Sequence, residues 1–168
     1  HTGRQVLILV PEIGLTPQFI ERVEQILQVD FVVIHSEVNE IQKMSAWEAA
    51  KHHTTNLVIG TRSALFTPFD NLGMIIIDEE HDGSYRQRDT VRYSAHDAAI
   101  QRAYLLGIPL ILGSATPILE TLYNIERERY QLLSLTERAK GSMPNWQVID
   151  MNESMAMDGL SIDLLNAI

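Results

Sequence analysis

Short apolar runs alternate with longer stretches of helical period over most of the chain. Residues 5–10 predict a first strand, continuously apolar from Val6 to Val10 and stopped by Pro11, which has no N–H to give to a ladder. The turn Pro11-Glu12-Ile13-Gly14 leads into a helix capped by Thr16. Pro17 takes its first position, and Phe19, Ile20, Val23, Ile26 and Leu27 share one stripe. A second buried strand, 31–34, ends at His35-Ser36. A helix follows over about 40–51, with Ile41, Met44, Trp47 and Ala50 at helical spacing. Residues 57–59 give a third strand, ending at Gly60-Thr61-Arg62-Ser63.

The fourth strand, 74–77, reads as buried on both faces. It breaks abruptly into Asp78-Glu79-Glu80-His81-Asp82, all polar and all but His81 acidic. A polar segment with arginines and tyrosines but no apolar period spans 84–93. Ser94 then caps a helix to about Leu106, which Gly107 stops. A fifth strand, 109–112, ends at Gly113-Ser114-Ala115-Thr116-Pro117, and a short helix covers about 117–127. Residues 130–135 read as a sixth strand and 147–149 as a candidate seventh, with a loop over 137–145 and a linker over 151–159.

Such alternation predicts an α/β fold, a mostly parallel sheet with helices on both faces. Ligands bind beyond the carboxyl ends of the strands in such sheets. Pro11-Glu12, Gly60-Thr61-Arg62, Asp78-Glu79-Glu80-His81 and Gly113-Ser114-Ala115-Thr116 each follow a strand, so parallel strands bring them to one edge. Clustered carboxylates repel unless a cation or solvent screens them. Mg²⁺, which takes one or two carboxylates plus waters and phosphates, suits that edge; the other reading is a solvated acidic turn.

The 168 residues allow one domain with a sizeable core, and 45% apolar with 21% charged residues is ordinary for a globular chain. No apolar run approaches the ~18 residues of a membrane span. The N-terminus lacks the blocks of a secretory signal, and no cysteine is available for a disulfide or thiolate site; a cytoplasmic location is expected. A formal charge of −9 argues against broad, charge-driven nucleic-acid binding, yet Arg62, Arg86, Arg88, Arg92 and Arg102 concentrate cations in the middle third. His52-His53 read as a solvated helix end, and Trp47 and Trp146 as packing residues.

Asp78-Glu79-Glu80-His81, followed at the next strand end by Gly113-Ser114-Ala115-Thr116, resembles motifs II and III of superfamily 2 helicases. A finer resemblance is to the primosomal protein N′ (PriA) family, covering roughly 5–150. Leu9-Val10-Pro11-Glu12-Ile13 with Leu15-Thr16-Pro17-Gln18 resembles its motif Ia, and Val58-Ile59-Gly60-Thr61-Arg62-Ser63-Ala64-Leu65-Phe66 its motif Ib. Asp78 to Asp82, Tyr85-Arg86-Gln87 and Arg92-Tyr93-Ser94-Ala95-His96-Asp97 are similar to its motif II and aromatic-rich loop. Leu112 to Pro117 with Glu120-Thr121 resembles its motif III. The resemblance implies a RecA-like P-loop NTPase lobe over 1–150, with 151–168 as linker and start of the next lobe. It further implies an ATP-dependent 3′-to-5′ DNA helicase acting in replication restart.

The resemblance also assigns roles. Asp78 would hold the Mg²⁺ of bound ATP and Glu79 would activate the attacking water, while Glu80, His81, Gly113, Ser114 and Thr116 would couple nucleotide to DNA. Thr16, Gln18, Thr61, Arg62, Tyr85, Arg86, Arg92 and Tyr93 would contact DNA, aromatic faces stacking on unpaired bases and donors taking phosphates. Plainer readings stand beside these: Thr16 as a helix cap, Ser114 and Thr116 as caps before Pro117, His81 as a turn histidine, and surface tyrosines. Implied partners are single-stranded and forked DNA, primosome proteins and single-strand-binding proteins, with no membrane; zinc belongs only to a second-lobe insertion. The family's Gly-x-x-x-x-Gly-Lys-Ser/Thr loop is absent from this sequence, so neither ATP hydrolysis nor unwinding is expected of the chain alone. A free edge on the fifth strand follows as a further expectation. Alternatives are another superfamily 2 translocase, a metal-dependent phosphohydrolase, or an interaction domain without nucleotide.

Overall fold

The computed structural model describes residues 3–89, 91–136, 148–150, 156–157 and 160–167. They fall into two compact units, His1–Tyr130 and Gln131–Ile168. In the first, strands β1 (Gln5–Leu9), β2 (Phe31–Ile34), β3 (Leu57–Gly60) and β4 (Leu72–Ile77) interleave with helices α1 (Pro17–Leu27) and α2 (Glu40–Lys51). A two-residue hairpin, β5 (Arg86–Gln87) and β6 (Tyr93–Ser94), precedes α3 (Ala95–Leu106), β7 (Leu110–Leu112) and α4 (Leu119–Glu126).

The main sheet has the order β2-β3-β1-β4-β7, and every pairing in it is parallel. It is therefore the α/β sheet that the alternation predicts, with all five carboxyl ends on one rim. Along β1 alternate side chains serve opposite faces. Leu7 and Leu9 join Ile34, Val58, Ile75 and Ile77 under α2 and α3, while Val6 and Ile8 meet Leu57, Ile59, Phe19 and Val23 under α1. Buried Gln5 donates to the carbonyls of Ala50 and Thr55 and accepts from Asn71 N–H, which fastens the start of β1 to the end of α2.

Local signals set the helix boundaries. Thr16 Oγ1 accepts from Phe19 N–H, Asn39 and Gln42 form a reciprocal capping box, and Ser94 caps α3, which Gly107 ends in left-handed conformation.

The expected stripe on α2 is corrected. Ala46 and Ala50 face the core and Trp47 is half-buried, while Ile41 stands 83% exposed and Met44 is exposed too. Alanines let the helix lie close to the sheet. On α1, Ile26 and Leu27 likewise end up exposed. The sixth strand is a correction as well: residues 131–136 form none and are exposed. Residues 131–136 join no ladder among the described residues. Of the candidate seventh strand, residues 148–149 are not extended into a ladder and 147 lies outside the described residues, as do the loop over 137–145 and Trp146. In the second unit β8 (Ala156–Met157) pairs antiparallel with β9 (Leu160–Ser161) before α5 (Ile162–Ala167).

Candidate functional site

The rim is built from four strand ends. At β3, Gly60 is required by packing: a Cβ there would run into the Ile34 carbonyl oxygen and Ala64. The chain then enters a 3-10 turn, Arg62–Phe66. At β4 the ladder continues one step, Asp78 N–H donating to Leu9 O at 2.9 Å, and then turns sharply. The turn is made at Glu79, which adopts φ +46°, and Asp78 Oδ1 accepts from Glu79 N–H at 3.1 Å. A left-handed glutamate is uncommon and costs on the order of 1 kcal/mol. Its effect is to separate the acidic run. Asp78, Glu79 and His81 stand exposed on the rim, while Glu80 points inward with 3% of its surface exposed.

The turn is fastened to the end of β7. Gly113 N–H donates to Ile77 O at 2.8 Å and Glu80 N–H to Gly113 O at 2.9 Å. His81 Nδ1 lies 2.8 Å from Ser114 Oγ and 3.5 Å from Glu79 Oε2. Ser114 Oγ also accepts from Thr116 N–H, so neither hydroxyl caps α4. Glu80 does that instead: Oε1 accepts from Ile118 N–H and Oε2 from Thr121 Oγ1, both at 2.9 Å. Buried His96 brings Nε2 within 2.9 Å of Glu80 Oε2, a distance reached off the hydrogen-bond axis. Glu80 is thus turned into the packing rather than toward a ligand, so any part it has in coupling nucleotide to DNA is exerted from inside the fold.

The segment after the acidic turn is anchored in three places. Tyr85 is buried at 1% exposure, its hydroxyl 2.7 Å from Asp78 O and 3.1 Å from Leu9 O. Burial, with Asp78, Asp82 and Glu79 nearby, pushes its phenol far above the ordinary range, so it stays neutral. It therefore has no face to offer a base, which corrects its expected stacking role. Arg62 donates to the carbonyls of Ser84 at 2.8 Å and Arg86 at 3.4 Å. Its guanidinium is tied to this loop instead of standing free for phosphate. Asp82 caps the 3-10 turn Gly83–Tyr85, and hydrogen bonding to Ser84 holds its carboxyl below the usual carboxylate range.

Beyond the anchors, Arg86, Gln87, Arg88, Arg92, Tyr93 and Ser94 line an open groove of about 530 Å³. Arg86 and Arg92 are exposed, and Tyr93 is half-buried against Phe66, edge to face at 5.2 Å. Arg102, its charge disfavoured by burial, donates to Leu65 O and to Thr67 O, supporting the segment that carries Phe66. Of the remaining expected DNA contacts, Gln18 is exposed on α1, Thr16 is exposed with its hydroxyl engaged as the cap, and Thr61 is buried, which takes its side chain out of reach of a phosphate. His96, Phe66 and Arg102 were not singled out as site residues from sequence, because nothing in their spacing ties them to the acidic run.

Among the described residues no group of three or more His, Cys, Asp or Glu is gathered for a metal. The rim therefore has exposed carboxylates without a protein cage, a cationic groove beside them, and a direct His81–Ser114 contact across two strand ends.

The sequence profile of the DEAD/DEAH box helicases matches residues 1–125. The chain is similar to replication restart protein PriA of Haemophilus influenzae, 48% identical over 165 residues, covering 98% of this chain and 23% of that protein. It is similar to PriA of Bacillus subtilis (43% over 154 residues; 91% and 19%) and of Rickettsia prowazekii (45% over 152 residues; 90% and 24%). It thus spans roughly a quarter or less of the length of these relatives. Among solved structures, the C-terminal part of the Fun30 ATPase domain overlays 72% of this chain and 38% of that one, at 16% identity and TM-score 0.48.

Proposed function

Because the chain belongs to the DEAD/DEAH box helicase family, we propose that it forms part of the first, RecA-like motor lobe of an ATP-dependent DNA helicase acting in replication restart. Residues 1–150 are assigned to that lobe and 151–168 to the start of the next. Its movement is 3′ to 5′ on single-stranded DNA, and its partners are forked DNA, primosome proteins and single-strand-binding proteins. One observation carries the reading: a single rim holds Asp78, Glu79 and the His81–Ser114 contact, and the arginine-lined groove opens beside it.

The donor set fits a magnesium nucleotide. Two exposed neighbouring carboxylates without a cage leave a cation to complete its shell with water and phosphate, which Mg²⁺ does readily. When bound, the ion offsets charge that builds on the phosphate oxygens. Asp78 would hold it, and Glu79 would accept the proton of the attacking water. His81 and Ser114 relay the state of that site to the strand end of β7. Arg86 and Arg92 take DNA phosphates, and Tyr93 stacks on an unpaired base. The chain alone, which has no Gly-x-x-x-x-Gly-Lys-Ser/Thr loop, neither hydrolyses ATP nor unwinds DNA.

The test joins this chain to an upstream segment bearing such a loop and measures ATPase activity with and without single-stranded DNA. DNA-stimulated turnover that falls at least about a hundredfold in Glu79→Gln supports the reading. Cation-dependent cleavage of a small phosphoester without DNA stimulation overturns it. Anisotropy with a labelled oligothymidine is expected to weaken in Arg86→Ala and Arg92→Ala, with the salt slope reduced by about 0.7 for each. Unchanged binding in both variants rejects the groove as the DNA site.

A further inference from the structure

Helix α4 begins with Ile118 as its cap residue, whose side chain accepts no hydrogen bond. The orphan N–H groups of such a helix start need an acceptor from elsewhere. Glu80 reaches in from the turn after β4, one oxygen on Ile118 N–H and the other on Thr121 Oγ1. A carboxylate at a helix N-terminus also opposes the helix dipole. It is fully enclosed, however, and an enclosed carboxylate needs compensation. Among the described residues the imidazole of His96 stands against it, Nε2 at 2.9 Å from Oε2, with Nδ1 lying 3.1 Å from Asp97 Oδ1. Tyr130, whose phenol is pushed up by burial and by Asp97 and Glu80, faces the same carboxylates from the segment after α4.

We propose that His96 is a positioning residue: by holding the buried Glu80 carboxylate against the start of α4, it fixes where Ser114 and Thr116 stand relative to Asp78 and Glu79. This rests on the helicase reading for its consequence, though not for its geometry. The segment 113–118 is fastened to the acidic turn at both ends, by Gly113 O and Ser114 Oγ at one and by Ile118 N–H at the other. With the Ile118 end released, the intervening residues pivot about Gly113, and the short His81–Ser114 contact is lost first. Glu80 and His96 are therefore the fixed post, and His81–Ser114 is the contact free to respond at the rim.

Amide hydrogen exchange on the chain itself tests the geometry. In His96→Gln, exchange at Ile118 and Leu122 is expected to quicken about five- to tenfold, while Leu7, Ile59 and Ile76 in the sheet centre keep their rates. His96→Arg, which places planar N–H donors against the carboxylate, is expected to recover most of the protection, and Thr121→Val to reproduce the local loss. Unchanged exchange at Ile118 in His96→Gln, or equal acceleration throughout the sheet, overturns the proposal. In the chain joined to an upstream phosphate-binding segment, His96→Gln is expected to lower kcat about tenfold at little changed KM for ATP, with rescue by His96→Arg. A change in KM alone overturns the positioning role. Should the joined wild-type protein show no ATPase while the exchange pattern holds, the helicase reading fails and the Glu80–His96 post stands.

Discussion

Tyr85 is the side chain on which the acidic turn, the first strand and the cationic loop jointly depend, and removing its hydroxyl is the sharpest probe of that arrangement. In Tyr85→Phe the ring still fills its site, so the loss is confined to one buried hydrogen-bonding group. Leu9 O retains a partner, since Asp78 N–H donates to it at 2.9 Å. Asp78 O loses the shorter of the two contacts, at 2.7 Å. A net hydrogen bond is worth about 1 kcal/mol, and an under-satisfied carbonyl adds a similar amount, so the expected destabilisation is about 1–2 kcal/mol. Tyr85→Ala also empties a core site and should cost about 3–5 kcal/mol. Urea unfolding followed by circular dichroism measures both. With a slope of about 2 kcal/mol per molar urea, Tyr85→Phe lowers the midpoint by roughly 0.5–1 M and Tyr85→Ala by at least twice that. A Tyr85→Phe midpoint within 0.2 M of the parent, on the order of 0.4 kcal/mol at that slope, would refute the bridging role of the hydroxyl. Equal damage in the two variants would refute the separation of hydrogen bond from packing.

Two glycines, one in β3 and one in β4 with β1 between them, are expected to tolerate no side chain. Gly60→Ala meets the fixed Ile34 carbonyl and should cost about 3 kcal/mol, and Gly73→Ala, whose Cβ would fall 2.4 Å from the backbone-anchored Arg4 Cβ, should likewise cost about 1–3 kcal/mol by the same urea assay. Asp82 has a depressed folded-state pKa, so its contribution is complete above the unfolded value near 3.8 and is lost as pH falls through the lower folded value. The stability difference between the parent and Asp82→Asn should accordingly be flat from pH 7 to about 5 and shrink only below about pH 4; a difference that changes between pH 5 and 7 contradicts the assignment. Among the described residues β7 pairs only with β4, and Ile111 on it is 46% exposed. Weak self-association through that edge is expected in sedimentation and should disappear in Ile111→Lys; a monomer at all concentrations rules it out.

The strands that carry the rim were legible because each apolar run is short, dense in β-branched residues and closed by a polar break. Phe31–Ile34 and Glu40–Lys51 fall where the pattern places them, and Thr16, Ser94 and Gly107 punctuate the helices as their chemistry dictates. Which face of α2 turns inward was not legible, because alanines give periodicity little weight although they pack closest. The segment 84–93 hid more. A tyrosine in a polar stretch reads as exposed, yet Tyr85 is drawn under the turn by two carbonyls that no local pattern reveals. Arg62 and Glu80 failed for the same reason: each is a charged residue beside the rim whose partners lie 16 to 41 positions away. The run 130–135 shows the converse error, apolar residues that join no ladder among the described residues.

The left-handed glutamate has a consequence for anyone reshaping this lobe. A screen that rewards only heat resistance should drift at position 79 toward glycine or asparagine, which tolerate φ +46° with little penalty. Such winners would melt later while leaving the rim one acid short. Position 79 is where durability and the proposed water-activating role pull the backbone in opposite directions.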